Sequence, residues 1–405
     1  MVLSLTIMYN KSISVKKEAA VKTVKRLIAL AAAVFLLAFA FNIGSVRDTV
    51  WSAGSSLAQR LGIASGPELM TCDEVMADML IQLESYATEL TFKNADSDTV
   101  VQAFSTVLEE HPEFFWLESG STSTTRQKDG TLTTTVTLSF AFDAEDIPSM
   151  NQEFCEAVSS VVATVDENAS DYEKALIIHD YIVEICSYDK NLSSSISQSD
   201  ADFDRAGVTA YGCLVNRSAV CSGYTAAFKV LMNSLGVACG CTEGWAESGD
   251  QTQSHIWNYI TLDGENYYVD VTWDDLSCEN SQGSDSEHIS HRYFCVTESE
   301  LLRSHHIDDG ETAPDCIATK YNYHIFNGLF LDSYDYGKVC SLIDAQFGNK
   351  VIELKFASLD ELKLACSDLF DNNSVFSVPS IRASGKCSVW HSVCEDSCVL
   401  TLWFE

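Results

Sequence analysis

The sequence predicts an α+β protein, and three observations carry that prediction. Across residues 221–236 apolar side chains recur at four-residue steps and stop at a glycine, which is helical periodicity. Directly downstream, two runs rich in aromatic and β-branched residues flank an Asp-Gly pair, the pattern of a β-hairpin. Mixed helix and strand patterns then flank this centre on both sides, over 74–142 and 353–404.

In the first of these, Ala227, Leu231 and Leu235 mark one face and Gly236 marks the stop, giving a helix of about four turns with Cys221 in its first turn. Unpaired backbone N–H groups and the positive end of the helix dipole favour a thiolate there. Ser222 and Gly223 are small and leave room for a substrate backbone. In the hairpin, His255–Ile260 and Asn266–Trp273 read as strands around Leu262-Asp263-Gly264-Glu265. Pairing Leu262 with Glu265 sets Trp257 opposite Asp270 and His255 opposite Thr272, so His255 and Asp270 share a face as diagonal neighbours. A thiol, an imidazole and a carboxylate thus arrive in chain order, the equipment of a nucleophile with an oriented base. Alone, each has a plainer role: Cys221 is one of 15 cysteines, and His255 and Asp270 are ordinary strand residues. Their order and compatible faces favour the joint catalytic reading.

The runs Cys221-Ser222-Gly223-Tyr224, His255-Ile256-Trp257-Asn258 and Val269-Asp270-Val271-Thr272-Trp273-Asp274-Asp275 resemble the three motifs of bacterial transglutaminase-like proteins, members of the papain-like cysteine-enzyme superfamily. The resemblance covers roughly residues 165–310, taking in Glu173-Lys174-Ala175, His179-Asp180-Tyr181, Tyr188-Asp189, and Tyr293-Phe294-Cys295-Val296 with His305 or His306. It implies a transglutaminase-like, papain-like core in which a helix bearing Cys221 packs on an antiparallel sheet bearing His255 and Asp270. Cys221 would be the nucleophile, His255 the base and acid, and Asp270 the orienter. The implied reaction is acyl transfer through a thioester on a peptide or carboxamide, resolved by water in a peptidase or amidase and by an amine in a cross-linking enzyme. The triad chemistry needs no cofactor and no metal. Tyr211 and Asn216, in the turn before the helix, are oxyanion candidates beside the Cys221 N–H, and Ser222, Gly223 and Trp257 are substrate-binding candidates. The expected partner is a protein or peptide, cell-envelope peptides included. The rival reading is an inactive surface module that uses the fold to bind envelope peptide or glycan.

Taken in order, residues 1–26 hold Lys11, Lys16, Lys17, Lys22, Lys25 and Arg26 against Glu18 alone, and 27–43 are uncharged and almost wholly apolar. This pattern suits a signal peptide or a transmembrane anchor, with Ala38-Phe39-Ala40 resembling a cleavage site and the body outside the cytoplasm. Residues 44–68 read as a linker, 69–149 as an N-terminal α+β unit, 150–310 as the catalytic domain and 311–405 as a C-terminal α+β unit. Residues 1–40 hold six of the 25 basic and one of the 58 acidic side chains, so the remainder is strongly acidic and unsuited to nucleic acid. Setting Cys221 aside leaves 14 cysteines, an even number that permits disulfides without requiring them. Cys387, His391, Cys394 and Cys398 match no trusted zinc spacing. The Ser-rich, acidic stretch Asn191–Asp204 reads as a surface loop beside the cleft. Finally, Glu89-Leu90-Thr91-Phe92 with its following helix echoes Glu353-Leu354-Lys355-Phe356 with Leu359–Phe370, so the flanking units read as copies of one another or as a chance similarity.

Overall fold

The computed structural model describes residues 68–128, 131–197, 203–248, 251–276, 289–349, 351–385 and 388–404. The basic segment 1–26, the apolar segment 27–43 and nearly all of the linker lie outside them, as do Cys278 and Cys387. Among the described residues no helix is long and apolar enough to cross a membrane. Residues 71–124 and 134–405 form one compact unit.

Local capping sets the first elements. Thr71 and Glu74 form a capping box that opens helix Cys72–Leu83. Asp96 accepts the Thr99 N–H at 2.9 Å to open helix Ser97–Glu110, which buries Val100, Phe104 and Val107. Strand Glu89–Lys93 lies between them and buries Leu90 and Phe92 by alternation. With Leu117–Arg126 and Leu132–Phe140 it makes a sheet in the order 89–93, 132–140, 117–126.

The far end of the chain runs helix Tyr336–Gln346, strand Val351–Phe356, helix Leu359–Cys366, then strands Val389–Cys394 and Val399–Phe404. Its sheet order is 351–356, 399–404, 389–394, with Phe330–Leu331 added in parallel at the open edge. Apart from the extra short helix Pro379–Ser384, both flanks therefore follow helix, strand, helix, strand, strand with the last strand in the middle. The echo between Glu89–Phe92 and Glu353–Phe356 falls on equivalent strands of this shared topology. Ser374–Ser377 is a tight helical turn.

Between the flanks lies the antiparallel sheet that carries the chemistry, in the order 305–307, 239–248, 251–262, 265–269, 294–296. Helix Cys221–Ser234 buries Tyr224, Phe228 and Leu231 in a core shared with Ile178 and Ile182 of helix Asp171–Ile185. Gly236, at φ 76°, ends the Cys221 helix as its position predicts.

Three expectations are corrected. Residues 190–197 form a helix instead of a loop, because Asp189 accepts the N–H groups of Asn191 and Leu192 and Leu192 is buried. Strand Cys239–Ser248 is a full member of the sheet that the hairpin pattern alone did not reveal. In the hairpin, Leu262 does pair with Glu265, and the ladder runs to Asn258 opposite Val269. It then stops: Val271–Asp274 is a short helix capped by Asp270, so His255 never pairs with Thr272.

One glycine in the sheet is enforced by a neighbouring backbone. A Cβ on Gly244 would sit 1.9 Å from the His306 carbonyl oxygen on the edge strand. Gly244→Ala is expected to lower unfolding stability by about 1–3 kcal/mol, read by urea denaturation, because the edge strand must move away. A wild-type midpoint in that variant would mean that the close approach is dispensable.

Candidate active site

The site is assembled from the start of one helix, the middle of one strand, a cap and an edge strand. Cys221 is the first residue of its helix, and Val220 at the cap supplies no side-chain acceptor for the first-turn N–H groups. Cys221 is half-buried. Two motif residues tie the helix to the sheet. Asn258 donates from Nδ2 to the Thr225 and Gly240 carbonyls at 3.1 and 3.2 Å, and Thr225 Oγ1 donates to the Ile256 carbonyl at 3.0 Å. Tyr224 donates to Asp275 Oδ2 at 2.6 Å in the core. These bonds set the helix start against His255, one turn and one strand residue away.

His255 is 3% exposed, and its Nε2 lies 2.6 Å from Asp270 Oδ2. Cys221 acts favourably on the same imidazole, whose Nε2 is taken up by Asp270. Asp270 is saturated: Oδ1 accepts the backbone N–H groups of Thr272 and Trp273, each at 3.0 Å, while Oδ2 faces a second imidazole, His305 Nε2, also at 3.0 Å. His305 is fully buried, and its Nδ1 is 2.9 Å from Ser304 Oγ, which in turn contacts the Tyr293 hydroxyl at 2.9 Å. Trp257 stacks on His255, and Trp273 packs on both imidazoles.

Electrostatics follow from this geometry. Burial opposes a charged His255, but the Asp270 charge, its hydrogen bond and the Cys221 contact outweigh it and raise the imidazole to about 10. Burial likewise opposes an ionised Asp270, yet His255 and then His305 hold the carboxyl well below the usual range. His305 goes the other way: burial dominates and keeps it below an ordinary histidine, so it stands as a neutral N–H donor to Asp270.

The structure thus brings Cys221, His255 and Asp270 together and adds His305, which sequence reasoning held only as one of two neighbouring histidines. The other candidates are placed elsewhere. Tyr211 donates its hydroxyl to Glu153 at 2.8 Å and stacks on Phe115, so it is not free to serve an oxyanion. Asn216 is exposed at the end of the wide turn Gly212–Asn216. Gly223 does not open a path to substrate: it is buried, and a Cβ there would meet Ala219 and the Gly207 carbonyl at 2.7 and 2.9 Å. Ser222 is half-buried beside Cys221. Trp257 has no exposed surface and backs His255 instead of lining a cleft. The 13 described cysteines are all free thiols. In the C-terminal group, His391 stacks on Phe370 and Cys398 is buried. His255, Asp270 and His305 also offer three metal-ligand atoms within 4.8 Å of one another.

Comparison with known proteins adds the following. Residues 159–271 match the family model of the Transglutaminase-like superfamily. Among solved structures, the chain is similar to one described as a TGase, at 13% identity and a TM-score of 0.28, over 48% of this chain and 54% of that one. It is also similar to a candidate cysteine protease from Cytophaga hutchinsonii, at 13% identity and a TM-score of 0.22, over 45% of this chain and 64% of that one. The chain thus spans about half the length of the first and under two thirds of the second. A search of curated proteins gives no match.

Proposed function

Residues 159–271 match the family model of the Transglutaminase-like superfamily, and we propose that the protein is an extracytoplasmic cysteine-dependent acyl-transfer enzyme acting on peptide or carboxamide bonds. One observation carries the reading: the buried His255 imidazole meets the Asp270 carboxylate at 2.6 Å, and Cys221, at the start of its helix, acts on the same ring. A carboxylate so placed fixes the ring and sustains its charge beside Cys221.

In the first half-reaction the Cys221 thiolate adds to the carbonyl carbon, and the oxyanion is met by first-turn backbone N–H groups. The His255 proton passes to the departing amine as the C–N bond breaks, leaving a thioester. In the second half, His255 takes a proton from water or an amine as that nucleophile adds. Collapse expels the thiolate and regenerates the ion pair. Water gives a peptidase or amidase, and an amine gives a cross-linking enzyme. The basic segment 1–26 followed by apolar 27–43 supports the external location, with this stretch as anchor or cleaved leader.

Alkylation of Cys221 by iodoacetamide, followed by peptide mass spectrometry over about pH 5–9, tests the proposal. Wild-type Cys221 should react readily at the acid end of that range, and His255→Ala should remove that acid-end reactivity. Equal and slow labelling of both proteins would instead favour a binding module without catalysis.

A further inference from the structure

Behind the active site lies a second cluster of imidazoles and carboxylates that the acyl-transfer chemistry does not use. Its inner members are His179 and Asp180, adjacent in helix Asp171–Ile185, and His291, three residues before strand Phe294–Val296. Asp180 Oδ1 lies 2.9 Å from His179 Nδ1 and 3.0 Å from His291 Nε2, and one donor atom from each residue falls within 4.8 Å of the others. Two donors about 2.1 Å from a common ion are about 3.0 Å apart at a right angle and about 3.4 Å apart at a tetrahedral angle. The spacing is therefore that of adjacent ligands around one divalent ion.

The surroundings complete the pattern. Each imidazole turns its other nitrogen to a different carboxylate: His179 Nε2 to Asp274 Oδ2 at 3.2 Å, and His291 Nδ1 to Glu353 Oε2 at 3.4 Å. Metal-bound histidines are held this way, with the distal N–H given to a carboxylate that fixes tautomer and ring orientation. Four carboxylate contacts thus converge on two rings whose centroids lie 5.4 Å apart, one of them wholly buried. A divalent ion on the Asp180 side would take the two inner nitrogens and leave each ring one N–H for its outer carboxylate. Tyr323 stacks on His291 at 3.8 Å and holds the ring in position. The Asp180 side chain is 38% exposed, which gives an ion a way in from solvent.

We propose that His179, Asp180 and His291 form a binding site for one divalent first-row transition-metal ion, with Asp274 and Glu353 orienting the two imidazoles. Two nitrogens and one carboxylate oxygen are the donor set for Zn²⁺, Co²⁺ or Fe²⁺ more than for Ca²⁺ or Mg²⁺. The site is structural. Asp274 ends the short helix that Asp270 begins, and Glu353 belongs to the C-terminal sheet, so a bound ion braces the catalytic carboxylate from behind and pins the C-terminal unit to the core.

The test is equilibrium dialysis of the chelator-treated full chain against Co²⁺, with metal analysis, absorption spectra and thermal melting. Wild type and Cys221→Ser should each bind one Co²⁺ without a sulfur-to-cobalt charge-transfer band, and their melting temperature should rise with the ion. Asp180→Asn keeps shape and one acceptor oxygen, and should weaken binding by more than about 100-fold, while Glu353→Gln should weaken it by about 10–100-fold. Either variant suffices if the other does not fold. Co²⁺ binding that is unchanged in the folded variants, a thiolate band, or no binding by the wild type would each overturn the proposal.

Discussion

Replacing Asp270 with alanine is expected to lower unfolding stability at neutral pH by about 3–5 kcal/mol, the range for removing one partner of a buried charged pair. The side chain is 1% exposed and takes two imidazoles and two backbone N–H groups, so its loss strands four donors at once. It also removes the cap of the Val271–Asp274 helix. The pH dependence carries a sign. His255 is raised to about 10 in the folded protein, so its contribution is full below the unfolded value near 6.5 and fades as pH climbs toward about 10. Asp270 is depressed, so its contribution is present above an unfolded value near 4 and fades as pH falls through the folded value. Urea unfolding between about pH 7 and 10 should show the wild type losing stability more steeply than Asp270→Ala, which keeps only the slope due to His179, His291 and the buried cysteines. Parallel curves would mean that the pair adds nothing to the fold.

Cys221→Ser is expected to reduce turnover of a peptide or carboxamide substrate by about 10⁴-fold or more, with an unchanged melting temperature. The hydroxyl fits the half-buried position, but at neutral pH it remains protonated and a poor nucleophile even beside His255. A serine variant within about tenfold of the wild type would show that Cys221 forms no bond to substrate. Product analysis of the wild type, as free acid or as amine conjugate, identifies which second nucleophile resolves the thioester.

Much of this site was legible in the sequence because its parts are local. A helix periodicity fixes where Cys221 lies, and an Asp-Gly turn fixes a register that puts His255 and Asp270 on the same side. The exact pairing beyond Val269 was not legible, because Val271-Thr272-Trp273 has the composition of a strand while the Asp270 side chain diverts the backbone into a cap. The same competition misled at 190–197, where a single aspartate cap turns a Ser-rich run into a helix. Strand Cys239–Ser248 was hidden by Gly240 and Gly244, which weaken the strand pattern but are required by close neighbours: Tyr259 in one case and the His306 backbone in the other. Tyr211 and Gly223 were misjudged because proximity in sequence to Cys221 says nothing of which way each is packed. His305 lies 35 residues beyond Asp270, and only the sheet order brings the two together.

That order has a consequence for how the sheet is put together in time. Strands 239–248, 251–262 and 265–269 can zip up one after another through short connections, but the strand carrying His305 returns to the opposite edge of the sheet after a long excursion. Closing so long a loop comes at a late stage, after the local pairings are in place. A chain halted before residue 304 would already hold the thiol, the imidazole and the carboxylate, yet the second imidazole on Asp270 would be missing. Asp270 therefore receives its second imidazole only with the last strand of this sheet to arrive, and a nascent or clipped chain carries the motifs before it carries the full geometry.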